Sequence, residues 1–322
     1  MNVPDPIAAP STLSETISVP LLGVPIVFRS NSAAVIACAA EALQVWRDLP
    51  ADLVETGAPA CVAIVVQPLA PGESAAPLQG GLLIRVHGDT LLAAGDGCLL
   101  SARPAAGTAL AFITPELAGD PPRLRHAVLE RLGLLLAGAR ARAPLRASAV
   151  GAGPRALLLS GADDDLIATL CYGGARSGLA LLASEHVYLR DGHPPWLWGH
   201  PGVLRLPAAH AQRFPAQAGA APLARGGMVE LAGTAKLACP ASQVRVCLVE
   251  RATGQASRLE PAAAAAAAAA LTWLAAPECC FAQAATPAAA ARVAAGAYRL
   301  RVGSDLASAV ALLQHLLEHS EW

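Results

Sequence analysis

Residues 155–189 constrain this chain more than any other stretch. The run RALLLS at 155–160 is apolar without alternation and stops at Gly161. Three consecutive aspartates follow, Asp163, Asp164 and Asp165, and then a stretch of helical periodicity to about residue 175. Apolar runs return at 179–183 and 187–189. A continuous apolar run is what a strand buried on both faces looks like. A strand, turn, helix and strand in that order is the pattern of a β-α-β unit in a parallel sheet. The expected class is therefore α/β.

The flanking regions extend this reading. Residues 1–18 are rich in Pro, Ser and Thr and read as a flexible leader. They hold no basic stretch followed by an apolar one, so no secretory signal is expected. Strands are expected at 24–29, 61–67, 81–86 and 109–113, separated by Gly and Pro clusters. A helix is expected at 32–46, with Ser32 as its cap, and a second at 122–139 with Leu124, Val128, Leu129, Leu132, Leu135 and Leu136 on its apolar face. These elements make residues 19–140 a strand-rich α+β module. The remainder, 141–322, is the core domain, with further strands near 203–206 and 244–249 and a closing helix at 307–317. Pro261 opens a run of nine alanines at 262–270. Proline in the first helical position before the best helix former reads as a helix, and low-complexity expansion accounts for the composition equally well.

Composition excludes several classes. A formal charge of −1 over 322 residues draws the protein to neither nucleic acid nor an anionic membrane. The apolar runs are too short to span a bilayer, so a cytoplasmic protein is the expectation. Lys236 is the single lysine beside 22 arginines, a pattern of coding bias. None of the eight cysteines forms a CxxC pair and no histidines group near them, so neither zinc nor a disulfide framework is expected. Cys279 and Cys280 are adjacent and redox-capable. GxSxG is absent, which removes the nucleophile elbow of the α/β-hydrolases. His193 and His200 bracket HPPWLWGH; with no third ligand in sight, this reads as a Trp-rich turn packed over a sheet.

The segment APLRASAVGAGPRALLLSGADDDLIATLCYGGARSGLALLASEHVYL at 143–189 resembles the nucleotide-binding core of HPr kinase and its bacterial relatives. In that family a Pro-Leu-His-Ala strand precedes a strand that runs into a phosphate loop and helix. A further strand then ends in two acidic residues. The resemblance continues through GHPGVLRLP at 199–207 and back into VLERLGLLL and VPLLGVPIVFRS, covering most of residues 18–240. It implies an HPr-kinase-like P-loop core behind the N-terminal module.

The loop itself is degenerate. A phosphate loop, G-x-x-x-x-G-K-[ST], needs glycines to turn N–H groups inward, a lysine for the phosphate oxygens and a hydroxyl for magnesium. Gly161 matches the first glycine. The second glycine is Leu166, the lysine is Ile167 and the hydroxyl position is Ala168, with Thr169 one place later. The three aspartates lie where a triphosphate would sit, and they can instead cap the following helix. A divalent cation is the rival occupant, although three consecutive positions seldom point at one ion. The family's acidic pair reads Ser184 and Glu185, followed by His186, and Arg146 replaces the family histidine. Glu185 and Arg146 are thus vestigial catalytic candidates, and Gly161, Asp163, Asp164, Asp165 and Thr169 a vestigial nucleotide loop. Lys236, in GTAKL, is a weak match to a glycine-lysine segment of the family.

The resemblance therefore implies a pseudokinase, with no cofactor and no metal, that binds a protein or peptide partner as scaffold or regulator and assembles as a homo-oligomer. The alternative is an atypical serine kinase using ATP and magnesium on a carrier protein or ribosomal peptide. Two expectations follow. The double change Leu166→Gly, Ile167→Lys should not restore phosphoryl transfer, and Arg146 should pair with the aspartates.

Overall fold

Alternation of apolar residues in one half of the chain and continuity in the other give sheets of two kinds. A computed structural model describes residues 13–47, 49–67, 82–190, 196–200, 203–214, 223–225, 228–232, 240–272, 281 and 285–319, with backbone alone at 203, 223–225 and 228–232. The architecture is mixed α/β. The chain divides into two compact units, Met1–Arg140 with Ala276–Phe281, and Ala141–Ala275 with Ala282–Trp322. No helix among the described residues is long and apolar enough to cross a membrane.

The first unit holds a seven-stranded sheet built from β1 (Glu15–Leu21), β2 (Val24–Ser30), β3 (Ala60–Val66), β4 (Leu83–His87), β5 (Thr90–Gly95), β6 (Cys98–Arg103) and β7 (Thr108–Ile113), in the order β1-β2-β3-β7-β6-β5-β4. β2, β3 and β7 are parallel, and the other pairings are antiparallel. Helices α1 (Ala33–Ala42), α2 (Gln44–Arg47), α3 (Pro115–Ala118), α4 (Pro121–Leu124) and α5 (Glu130–Gly138) accompany it. α1, α2 and α5 pack against the sheet, and its buried side chains include Ile26, Phe28, Val62, Ile64, Leu91 and Leu100.

Several expectations are corrected here. Residues 15–18, assigned to the leader, belong to β1, which pairs with β2 along its whole length. The alternation of Ile17 and Val19 with Thr16 and Ser18 carries that signal. The two strands join through Leu22 and Gly23, both at positive φ, the backbone of a tight two-residue hairpin. The helix expected at 32–46 breaks at Leu43 into α1 and α2, and Ser32 makes no side-chain cap. Its amide instead donates to the Ser30 hydroxyl. The helix expected at 122–139 is α4, a π-helical turn at Arg125–Leu129 and α5. At the π turn the buried Glu130 accepts from Arg125 Nε and lies 2.8 Å from His126 Nδ1, so an inserted turn brings two basic side chains to one buried carboxylate.

The second unit contains β8 (Arg142–Arg146), β9 (Ser148–Ala152), β10 (Arg155–Ser160), α6 (Asp164–Arg176), β11 (Ala180–Ala183), β12 (His186–Arg190), β13 (Trp196–Gly199), β14 (Val203–Pro207), α7 (Ala208–Ala211), β15 (Leu223–Arg225), β16 (Met228–Ala232), β17 (Gln243–Arg251), β18 (Arg258–Pro261), α8 (Ala264–Thr272), α9 (Thr286–Val293), β19 (Tyr298–Val302) and α10 (Leu306–His319). Its main sheet has the order β11-β9-β10-β17-β19-β18, with β10, β17 and β19 parallel. One face packs on α6 and α10. The other packs on α8, α9 and the three-stranded sheet β13-β12-β8. β14, β16 and β15 form a fourth sheet.

The β-α-β unit is present as β10, α6 and β11, with a strand inside it: β9 is antiparallel to both β10 and β11 and lies between them, so the two parallel strands of the unit are not neighbours. Local periodicity carries no information about a strand inserted between two others. Pro261 is the last residue of β18 rather than the first of a helix, and α8 starts at Ala264. Half of the HPPWLWGH turn is strand β13, in which Trp198 is buried opposite Tyr188 of β12. Lys236, His193, Cys279 and Cys280 lie outside the described residues.

Candidate functional site

The central parallel strands of the second unit end at a cleft, the usual location of ligand sites in open α/β sheets. The cleft has a volume of about 590 Å³. Arg146, at the end of β8, and Asp163, just before α6, stand on its wall with Arg251, the last residue of β17. Leu248, Val249 and the alanines Ala266, Ala269 and Ala270 of α8 supply the apolar lining.

The three aspartates divide the work at the start of α6. Asp163 is the N-cap: its Oδ1 accepts the Leu166 amide at 2.9 Å. Its Oδ2 accepts from Arg251 Nη2 at 2.7 Å and Nε at 3.0 Å. Burial opposes ionisation of Asp163, but the bonds from Arg251 and the Leu166 amide, with the charges of Arg251 and His210 behind them, hold its carboxyl below the ordinary range. Asp164 pairs with Arg146, whose Nη2 lies 2.8 Å from Oδ2 and 3.0 Å from Oδ1. The expected approach of Arg146 to the aspartates is thus met, and capping and pairing fall on neighbouring residues. The Asp164 side chain is 73% exposed, which makes this a surface pair. Asp165 is exposed, and its carbonyl accepts the Thr169 hydroxyl at 2.6 Å.

The remaining loop positions belong to the core. Leu166 and Ile167 are buried among the residues that cover the sheet, with Ala168 packed against them. Thr169 is buried and lies 3.1 Å from His210 Nδ1. Its one proton goes to the Asp165 carbonyl, so the ring nitrogen is the donor of the second bond. Gly161 has a reason of its own. A Cβ there would run into the Val249 carbonyl oxygen, so the residue is needed for a close backbone approach between the ends of β10 and β17.

Glu185 is exposed in the bend before β12, and it does not line the cleft. Its backbone carbonyl accepts the Ala147 amide at 3.0 Å, next to the rung that pairs His186 with Arg146. The nearby serines are engaged as donors: Ser148 to the Ser184 carbonyl and Ser160 to the Ala270 carbonyl. Glu250, at the cleft, is held by Arg299 Nε at 3.0 Å. Among the described residues no group of three or more His, Cys, Asp or Glu side chains is placed to hold a metal ion.

Sequence reasoning missed Arg251 and His210. Arg251 lies 88 positions from Asp163, and no local pattern marks such a pair; the apolar run of β17 ending in charged residues was the available hint. The cleft therefore presents cationic side chains already neutralised by carboxylates over an apolar floor. It can hold a small or extended apolar group, and among its described lining residues no nucleophile stands beside a base. No family model matches the chain, and no curated protein matches it.

Proposed function

We propose that the protein is a catalytically inactive relative of HPr kinase that binds a protein or peptide partner as scaffold or regulator. The observation that carries this reading is that the start of α6 is already occupied by the protein's own carboxylates. Asp163 takes the helix amide and the Arg251 guanidinium, and Asp164 takes Arg146. These are the kinds of donor that a phosphate would otherwise use.

A triphosphate with magnesium does not fit these residues. Each negative charge brought within about 4 Å of an aspartate is opposed by roughly 4 kcal/mol at an effective dielectric near 20. No lysine answers it, because position 167 is an isoleucine packed in the core. The decay is also hard to reverse. The double change Leu166→Gly, Ile167→Lys would take two apolar side chains out of that core and push a charge into it, and phosphoryl transfer should stay absent.

Calorimetric titration of the full chain with millimolar ATP and magnesium tests the reading, with no saturable heat expected. Saturable binding that weakens in Thr169→Ala or Glu185→Gln would overturn it in favour of an unorthodox serine kinase.

A further inference from the structure

The seven-stranded sheet of the first unit has one face lined by buried side chains and one that is not. Register places residues of the second face in rows across the strands. One row runs Val65, Phe112, Leu99, Ala94, Leu83 from β3 to β4. Leu83 and Leu99 are 59% and 51% exposed, and Leu92, one row along, is 47% exposed. Isolated exposed leucines are ordinary, but three on adjacent strands of one face form a patch. The parallel strands at the centre, β2, β3 and β7, belong to a type of sheet that is normally covered on both sides by helices.

The charge on this face has one sign. The row through Leu92 starts at Thr16 on β1 and passes through Arg29 on β2 to Arg85 on β4, the two arginines standing about 24 Å apart at about 4.8 Å per strand. The next row carries Arg103 and His87, and all four basic side chains are exposed. Alternation along β1 to β7 puts no Asp or Glu on this face. Glu15 of β1 falls on the opposite face, paired with the buried Ser30, and the nearest acids in sequence to β4, β5 and β6, Asp89 and Asp96, sit in the hairpin turns at either end.

We infer that this face is a docking surface for an acidic amphipathic helix of a protein partner. Its apolar side would cover the leucine patch and its carboxylates would meet Arg29, Arg85 and Arg103. A helix of that kind would add a layer over this face with its carboxylates against the arginines, whereas a second copy of this face, carrying the same arginines, would bring like charges together. The inference rests on the first unit alone, so it and the nucleotide titration fail separately.

The test uses a fluorescent helical peptide of about 18 residues, ~27 Å long, with leucine along one side and glutamate on the other. Anisotropy should report saturable binding to the full chain. Binding should fall roughly tenfold or more in Arg85→Ser, Arg103→Ser and again in Leu92→Ser, Leu99→Ser, and should weaken with salt. The same peptide with lysine for glutamate should not bind. Circular dichroism and melting temperature would show that both variants remain folded. Equal binding of the two peptides, or binding unchanged in the variants, overturns the inference. So does sedimentation of the chain with phosphatidylglycerol vesicles, lost in the same variants without acidic-peptide binding, which would assign the face to a membrane. Self-association lost in those variants would assign it to a second copy.

Discussion

The two large sheets share a parallel centre with antiparallel strands at the margins, yet they bury themselves differently. In the second unit, β10 is buried from its second residue to its last, with helices on one side and helices plus a small sheet on the other. In the first unit, buried and accessible residues alternate along β2 and β6. The difference teaches where each sheet's stability is stored. A strand covered on both faces gives every side chain a packing role, whereas a strand covered on one face gives it to every second residue.

Paired truncations are the sharpest way to break this contrast. Leu159→Ala in β10 should cost about 2–5 kcal/mol, because the side chain is wholly buried and leaves a cavity. Leu92→Ala on the open face should change stability by less than about 0.5 kcal/mol. Urea unfolding of the full chain measures both. Equal losses would mean that the first sheet is also covered on both sides.

A smaller effect is expected at the cleft. Gly161→Ala forces a methyl group against the Val249 carbonyl, and the shift of backbone it requires should cost about 1–3 kcal/mol. A neutral result, read by the same unfolding curves, would show that the ends of β10 and β17 can move apart.

The smallest effect belongs to the ion pairs. Arg251→Ala should cost at most ~1 kcal/mol, since the Arg251 side chain is more than half exposed. Its pH dependence has a definite sign. Asp163 is held below its usual range in the folded chain, so on acidification the unfolded chain takes up that proton first. The pair's contribution is complete above about pH 3.9 and disappears as pH falls through the folded value. The gap in urea midpoint between wild type and Arg251→Ala should therefore close in acid. A gap that widened would mean that Arg251 acts through packing alone.

These contrasts also explain what could be read in advance. The strands and helix around the aspartates were legible because burial on both faces writes an uninterrupted apolar run, and a capped helix writes aspartates at its start. β5 and β6 were missed: small residues and the glycines of their connecting turn blur the alternation of a strand covered on one side. The placement of β9 between β10 and β11 was illegible, because order within a sheet is decided by packing between distant segments. At the cleft, the Arg146–Asp164 pair could be expected from the order of elements that the resemblance implied. The Arg251–Asp163 pair could not, since it joins segments far apart in the chain with no shared motif.

The alanine tract carries a consequence of its own. α8 is fastened to the sheet by Ala267 and Leu271, four residues apart and both fully buried, while Ala266, Ala269 and Ala270 line the cleft. With about 3.6 residues per turn, each added alanine rotates everything beyond it by about 100°. One or two extra residues ahead of Leu271 would swing the leucine off the sheet. Three or four would bring it back to nearly the same side, one turn further along. Helical phase therefore discriminates between changes in the length of the tract, so the length of this repeat is tied to the geometry of the surface beneath it.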